Sequence, residues 1–187
     1  MSIKSEQVIR ECAFDIIGII GDCAHDGARL VEELKGPLRR IIALPDLIGM
    51  GVKRQGNHIQ NTRYLYYDGQ LVMSLDEFPK GRRIPEHDHG IWEALAVYRG
   101  SFAHTVYERL DDGQRDGYAD LRKIDDRVLH AGDVAIVAPP ADIHTFEAVE
   151  EPTYTLIVVG GHYTDLRHYY NPEAKSCVVS KPKLVTQ

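Results

Sequence analysis

Long apolar runs and basic clusters are both scarce in this chain of 187 residues. No apolar run approaches the roughly 18 residues that a helix needs to cross a membrane, so the sequence predicts no such helix. The formal net charge is −6, and no group of Lys and Arg residues is longer than the short stretch Lys80-Gly81-Arg82-Arg83. Nucleic acids and anionic membranes are therefore poor candidates as partners.

Cysteine is scarce as well. The three cysteines, Cys12, Cys23 and Cys177, are odd in number and widely spaced along the chain. This pattern fits reduced thiols, and the first residues of the chain lack an apolar secretory core. We therefore expect a cytoplasmic protein. No cysteine is expected to bind a metal, because none is close in sequence to His87 and His89.

The length suits one domain, or one domain with an extension. The first part of the chain has the apolar period of helices: Ser5 can cap a first helix, and a second helix is predicted over residues 28–44. Pro37 is expected to break or kink this second helix. The glycine-containing stretch 45–61 is predicted to be a loop. We expect residues 1–60 to form a helical extension that packs against the rest of the chain.

After residue 60 the pattern changes to short segments of β-branched and aromatic residues, separated by turn signals such as Asp68-Gly69 and Arg99-Gly100. The predicted strands are residues 63–67, 71–75, 93–98, 101–109, 134–138, 144–149 and 154–159, with a further short strand around Cys177. No helix-length pattern interrupts them, which argues against a parallel α/β sheet. Residues 61–187 are therefore predicted to form a mainly β sandwich or barrel.

Histidine is abundant, and two of the nine copies belong to a regular pattern. The segment from Gly81 to Gly100 reads Gly-x5-His-x-His-x3-Glu-x6-Gly. On a regular strand alternate side chains share a face, so His87, His89 and Glu93 are expected to point the same way. Two imidazoles and a carboxylate on one face are a ligand set for a divalent transition metal. A lone His-x-His pair arises easily by chance, but the flanking glycines and Glu93 favour a metal site.

A downstream segment adds a fourth candidate ligand. The chain runs from Gly132 through an apolar strand to Pro139 and enters the next strand at His144. Together the two segments resemble motifs one and two of the cupin superfamily, which implies a cupin double-stranded β-helix (jelly-roll barrel) with an N-terminal helical extension. The metal ligands that the resemblance implies are His87, His89, His144 and Glu93. The second motif departs from the usual pattern, because its gap is one residue longer and Ala141 stands where glycine is usual.

Further stretches resemble the thiol dioxygenases, a cupin family that includes cysteine dioxygenase and 3-mercaptopropionate dioxygenase. The similar stretches are residues 62–68, 85–92, 98–100, 132–144, 158–161 and 170–173. The resemblance implies that three histidines hold Fe(II), with Mn, Ni and Zn left open. It also implies that Arg63 binds the carboxylate of the substrate. A guanidinium fork suits this task because it can bind both carboxylate oxygens.

Two departures from that family affect the chemistry. Its Ser-x-His-x-Tyr set aligns with Thr155, Ile157 and Val159, so the tyrosine hydroxyl is missing. Glu93 stands at the position of the cysteine that forms the family's cysteine–tyrosine crosslink. A glutamate there resembles the four-ligand cupins, such as quercetin, acireductone and diketone dioxygenases. Glu93 is therefore expected either to bind the metal or to act as a general base toward the substrate.

The expected substrate pocket combines one cation with apolar and aromatic side chains. Its expected residues are Arg63, Trp92, Phe146, Thr155, Ile157 and Val159. Trp92 has the opposite strand parity from His89 and Glu93, so packing between the sheet and the helices is its alternative role.

Other polar residues near the motifs have plainer expected roles. The histidines predicted to be ordinary polar residues are His104, His130 and His162. Asp88 is expected to point outward or to fix the end of a strand, or else to hydrogen-bond to an imidazole.

These observations lead to one main hypothesis and two alternatives. The chain is predicted to be an Fe(II) dioxygenase that uses O2 to oxidise a small carboxylated thiol to a sulfinate, with Glu93 and Arg63 as catalytic residues. The first alternative is a four-ligand dioxygenase that cleaves a diketone or an enediol. The second is a cupin that binds a small anion without catalysis. The sequence is compatible with a homo-oligomer and leaves the oligomeric state open.

Overall fold

The computed structural model describes residues 3–23, 26–55, 61–161 and 166–181. Two α-helices, α1 (Ile3–Asp22) and α2 (Gly27–Ile42), are followed by a short 3-10 helix at Leu47–Gly49. The strands are β1 (Val52–Lys53), β2 (Arg63–Tyr67), β3 (Leu71–Phe78), β4 (Arg83–His87), β5 (Glu93–Arg99), β6 (Ser101–Arg109), β7 (Leu121–His130), β8 (Val134–Val137), β9 (Ile143–Ala148), β10 (Thr153–Gly160), β11 (Arg167–Asn171) and β12 (Ser176–Ser180). Both predicted helices and every predicted strand are present, whereas β1, β4, β7 and β11 were not predicted.

Helix α1 does not use Ser5 as its cap. Ser5 lies inside the helix, and its hydroxyl donates a hydrogen bond to Asp46 Oδ1 at 2.8 Å. This contact ties the helix to the segment that follows α2. The buried residues on the apolar face of α1 include Ile9, Cys12 and Ile16.

Helix α2 continues through its proline. The side chain of Asp26 caps the helix by accepting the main-chain N–H of Arg29 at 3.0 Å. The break expected at Pro37 does not occur, and the helix runs on to Ile42. Pro37 removes one main-chain hydrogen bond, but buried leucine and isoleucine side chains on both sides of it hold the helix in place. These side chains are Leu34, Leu38 and Ile41.

The strands form two antiparallel sheets of six strands each. The first sheet has the order β1-β2-β3-β10-β5-β8, and the second has the order β12-β11-β4-β9-β6-β7. Strands that are distant in sequence lie side by side in both sheets, as β3 and β10 do in the first and β4 and β9 in the second. This connectivity, with two N-terminal helices, confirms the predicted cupin β-sandwich.

The two faces of the first sheet bury different sets of side chains. On the outer face, Leu75 and Leu156 pack against α1 and α2 in one apolar core. On the inner face, Leu95 and Ile157 pack with aromatic residues between the two sheets. Because successive residues of a strand point to opposite faces, strand parity decides whether a side chain meets the helices or the interior.

The helices and the outer face of the first sheet share one core. The division of the chain into a helical extension, residues 1–60, and a barrel, residues 61–187, stays a prediction. Within the residues that the structure describes, no helix is both long and apolar enough to cross a membrane.

Candidate metal centre

Three histidines meet between the two sheets. His87 ends β4, His89 follows it in the next loop, and His144 lies on β9, where antiparallel pairing places it opposite His87. The Nε2 atoms of His89 and His144 are 3.0 Å apart. One candidate ligand atom from each of the three residues lies within 4.8 Å of the other two. This group, called the histidine triad below, could hold a metal ion.

The ring nitrogens of the triad are close enough to share one ion. The Nε2 atoms of His89 and His144, 3.0 Å apart, could both bind the same ion at about 2.1 Å. Burial, followed by the nearby His87, His104 and Arg167, lowers the pKa of His144 well below its ordinary value. A neutral imidazole is the form that binds a metal.

Glu93 lies beside the triad. It begins β5, and its buried carboxylate has Oε2 at 3.4 Å from His89 Nε2 and Oε1 at 3.6 Å from His144 Nε2. A divalent cation stabilises a buried carboxylate next to imidazole lone pairs. The group of mutually close donor atoms contains the three histidines without Glu93. The carboxylate is therefore suited either to bind an ion from one side or to accept a proton from a substrate.

Hydrogen bonds orient the loop that carries two of the ligands. His87 Nδ1 can donate to the carbonyl oxygen of Pro85 at 2.8 Å, which leaves the Nε2 lone pair for a metal. Asp142 Oδ2 accepts the main-chain N–H groups of His89 at 3.1 Å and of Gly90 at 2.8 Å. Gly90 has a φ of 67°, a left-handed conformation that favours glycine. The sequence pattern assigns no role to Asp142, although its position two residues before His144 is a usable signal.

Asp88 binds an imidazole outside the triad. Its Oδ2 accepts hydrogen bonds from His168 Nδ1 at 2.9 Å and from the hydroxyl of Tyr170 at 2.8 Å. Its Oδ1 accepts the main-chain N–H of His168 at 3.1 Å. Asp88 therefore ties β11 to the ligand loop, and the imidazole that it contacts belongs to His168.

His104 is not the ordinary polar histidine that the sequence predicts. It is buried, and its Nε2 lies 3.1 Å from Nδ1 of His144. Burial lowers the pKa of His104 to about 4, so the ring is neutral near pH 7. His130, by contrast, is exposed at the end of β7, and His162 lies outside the described residues.

Four of the expected pocket residues face the interior. The ring of Phe146 lies 5.5 Å from the ring of His144, measured between centroids. Val159 is paired with Glu93 across two neighbouring strands. Ile157 and Thr155 are also on the inner face of β10, at increasing distance from Glu93 along the strand.

Arg63 lies on the opposite face of the first sheet from Glu93, so the structure does not bring it to the triad. It is paired with Leu75, whose side chain belongs to the helix-facing core. Its Nε and Nη2 atoms donate to the carbonyl oxygens of Met50 and Gly51 at 2.6 and 2.8 Å. The pairing of β2 with β3 contains an irregularity, and the face of such a short strand depends on its register.

Trp92 also faces the helices. It belongs to the same core as the buried residues of α1 and α2. Its ring lies against Gly160, where any Cβ atom would collide with the indole. The structure therefore shows Trp92 packed between sheet and helices, the alternative role expected for it, and does not bring it to the triad.

A different arginine is buried on β11, the strand beside β4. Arg167 begins β11, two residues before Tyr169, which pairs with His87 and stacks on its ring at a centroid distance of 6.1 Å. Alternate residues of a strand share a face, so Arg167 lies on the same face as Tyr169. It is buried, and its charge helps to lower the pKa of His144. Arg167 was not predicted as a site residue, because β11 is not among the predicted strands.

A second buried carboxyl group lies on the inner face of β3. Asp76 is paired with Thr155, and its Oδ2 accepts a hydrogen bond from Ser74 Oγ at 3.1 Å. Burial raises the pKa of Asp76 to about 6, against the opposing effects of hydrogen bonds from Thr62 and Ser74 and of the charge of Arg54. Asp76 therefore gains its proton at a higher pH than an exposed aspartate.

The fold and the triad define a β-sandwich of cupin type with a candidate metal centre. The chain matches no protein-family model and no curated protein. It is similar to the structure of a cupin superfamily protein from Desulfitobacterium hafniense, with 16% identity and a TM-score of 0.42 over 59% of this chain and 84% of that one.

Two further solved structures are similar to this chain. KdgF from a Halomonas species has 16% identity and a TM-score of 0.42 over 56% of this chain and 80% of that one. An oxalate oxidase has 21% identity and a TM-score of 0.38 over 49% of this chain and 42% of that one. The strand order and the facing sheets, rather than these distant similarities, define the fold.

Proposed function

We propose that this protein is an Fe(II)-dependent dioxygenase that oxidises a small carboxylated thiol to a sulfinate. The histidine triad would hold the metal, and Glu93 would act as the base. The proposal is carried by the buried guanidinium of Arg167, which lies on the face of β11 that meets His87 and affects the pKa of His144. Arg167 takes the role that the sequence had suggested for Arg63.

Each side chain of the site has a task in this reaction. Fe(II), if bound, would supply the activation of O2 that oxidation of a thiol to a sulfinate needs, with both oxygen atoms entering the product. His87, His89 and His144 would hold it as neutral imidazoles, which add no charge to the site. Glu93 would accept the thiol proton. Arg167 can bind both carboxylate oxygens and so orient the substrate.

Apolar residues complete the site. Val159 is paired with Glu93, and Phe146 contacts the ring of His144. These side chains keep water away from the reacting sulfur, and exclusion of water strengthens the ionic contacts of the carboxylates. Val159 has no hydroxyl, so the proton transfer that a tyrosine could assist falls to Glu93.

A second candidate is a four-ligand dioxygenase that cleaves a diketone or an enediol. The observation that favours it is the position of Glu93, whose oxygens lie 3.4 and 3.6 Å from two ligand nitrogens. As a fourth ligand, Glu93 would lower the charge of the centre to +1 and occupy one position, which suits a substrate that binds as a single enolate. This candidate gives Arg167 no role.

An oxygen-consumption assay tests the two candidates. The protein is loaded with Fe(II) without air and then given O2 with carboxylated thiols, the corresponding carboxamide thiols, or 1,3-diketones. We expect O2 uptake with the carboxylated thiols and a sulfinate that carries two atoms from oxygen-18 gas. Cleavage of a diketone instead would establish the second candidate. No uptake with any substrate, together with anion binding that a chelator does not affect, would indicate a non-catalytic cupin.

A pair of arginine variants tests the source of the carboxylate contact. A charge-assisted pair in a partly dry pocket is worth about 2–4 kcal/mol, so Arg167→Gln should lower kcat/KM for the carboxylated thiol by roughly 30- to 1000-fold. The carboxamide thiol should show a much smaller loss. Arg63→Gln is the matched control on the other face of the first sheet and should stay within about threefold of wild type. Equal losses in both variants would contradict the assignment of Arg167.

A further inference from the structure

His104 lies directly behind one member of the histidine triad. It is on the inner face of β6, where it pairs with Phe146, while Val106 pairs with His144. The two imidazoles are therefore diagonal neighbours on adjacent strands. His104 is 1% exposed, and its Nε2 lies 3.1 Å from Nδ1 of His144.

The positions of the protons follow from the geometry. Nε2 of His144 faces Nε2 of His89 and the carboxylate of Glu93, so it is the atom that would bind a metal. A ligand nitrogen carries no proton, and a neutral His144 must then carry its proton on Nδ1. That N–H lies within hydrogen-bond distance of His104 Nε2. His104 must accept it, and so must carry its own proton on Nδ1.

We propose that His104 is a positioning residue of the metal centre, which fixes the tautomer and the ring orientation of His144 by accepting its Nδ1 proton. This inference rests on the proposed metal binding by the triad. A partner of this kind raises the basicity of a metal-bound histidine and limits the rotation of its ring. The corresponding partner of His87 is the main-chain carbonyl of Pro85. His104 is a side chain, so its contribution can be removed by substitution.

A packing role alone does not explain an imidazole at this position. Within the residues that the structure describes, Nδ1 of His104 has no hydrogen-bond partner. A buried polar atom without a partner destabilises the fold, so leucine of similar size would pack there at a lower cost. If His104 positions His144, leucine should weaken metal binding while changing the stability of the metal-free protein by less than about 2 kcal/mol, because the lost acceptor for His144 and the removed unpartnered Nδ1 of His104 offset each other. A packing role predicts the opposite pair of results.

Two variants separate these readings. His104→Leu removes the acceptor, and His104→Gln keeps an amide oxygen near the position of Nε2. Cobalt(II) affinity is measured by competition with a chelator, and the visible absorption of the bound cobalt reports its ligand geometry. We expect His104→Leu to bind cobalt about 10- to 100-fold more weakly with an altered spectrum, and His104→Gln to recover most of the affinity. A folded His104→Leu protein with wild-type affinity and spectrum would overturn the proposal.

Nitrogen-15 NMR of the unmodified protein gives a second test that needs no variant to fold. In metal-free and zinc-loaded samples, we expect protons on Nδ1 of both His104 and His144. A proton on Nε2 of His104 in the zinc-loaded protein would overturn the proposal. Cobalt binding without thiol oxidation would overturn only the proposed activity, whereas a wild-type protein that binds no cobalt would overturn both.

Discussion

The space between the two sheets has an aromatic region and a polar region. In the aromatic region, Phe78, Phe102 and Phe146 pack edge to face with centroid distances of 5.0, 5.4 and 5.6 Å. In the polar region, the buried triad and Glu93 lie together. Burial of the aromatic rings stabilises the fold, whereas burial of imidazoles and a carboxylate costs free energy that a bound cation can offset.

This difference separates the source of stability from the source of chemistry. The residue that belongs to both regions is Phe146, which contacts the other two phenylalanines and also the ring of His144. A change at a residue of one region should therefore have little effect on the other, unless it passes through Phe146.

The largest expected effect is on the aromatic region. Phe102→Ala removes a ring that is 2% exposed, and it should lower the free energy of unfolding of the metal-free protein by about 3–5 kcal/mol. Cobalt affinity should stay within about threefold of wild type. Urea unfolding and chelator competition measure the two quantities. The exposed Phe14 is the control, because Phe14→Ala should change the stability by less than about 0.5 kcal/mol. A loss of metal affinity as large as the loss of stability would show that the regions are not independent.

The next effect is on the polar region. His89→Ala should weaken metal binding at least about a hundredfold, because it removes one of three buried ligands. The stability of the metal-free protein should change less than metal binding does, since the substitution removes the cost of burying a polar ring together with the contacts of that ring. The amount of metal that stays bound after dialysis reports the affinity, and urea unfolding of the metal-free protein reports its stability. The exposed His130 supplies the control, His130→Ala, which should alter neither.

A third effect concerns the buried carboxyl group of Asp76. Its folded-state pKa of about 6 lies above the ordinary value of 3.8, so the native state holds the proton more tightly than the unfolded state. Its contribution to stability is therefore full below about pH 4 and is lost as the pH rises through 6. The loss is roughly 2–3 kcal/mol, from about 1.4 kcal/mol per pKa unit.

The comparison of wild type with Asp76→Asn isolates this contribution. Relative to the variant, wild type should lose this amount of unfolding free energy between pH 4 and pH 7. Urea unfolding of chelator-treated protein at several pH values measures the difference. A difference that does not change with pH would show that Asp76 does not titrate in this range.

The smallest expected effect is at the residue that joins the two regions. Phe146→Leu keeps an apolar side chain, so it should lower the free energy of unfolding by only about 1 kcal/mol. It should also weaken cobalt binding by a few-fold, because His144 loses part of the surface that it packs against. If the substitution lowers the free energy of unfolding and leaves cobalt affinity unchanged, the contact between Phe146 and His144 does not couple packing of the aromatic region to metal binding.

The grouping of the three histidines was predictable from sequence, but not for the reason that strand parity suggests. His87 and Glu93 do not share one regular strand, since β4 ends at His87 and β5 begins at Glu93. The loop between them turns at Gly90 and is held by Asp142. The resemblance of the two motifs to cupins, rather than the alternation of side chains along one strand, correctly predicted that these residues lie together.

The arginine that we propose for the site was not predictable. The face that Arg63 occupies depends on the register of the short strand β2, and the neighbourhood of Arg167 depends on the pairing of β11 with β4. Both are contacts between segments far apart in the chain, which local patterns do not encode. His104 was easier to predict as buried, because it has the same strand parity as Phe102 and Val106, which are buried on one face of β6.

The carboxylate of Asp142 has a consequence for how the centre would lose its ion. It accepts main-chain hydrogen bonds at His89 and Gly90, and it lies two residues before His144. These hydrogen bonds therefore link the segments that carry His89 and His144. A displacement of β9 would carry both imidazoles with it. The ion should therefore be released in a single cooperative step, and partly ligated forms should be too sparse to accumulate.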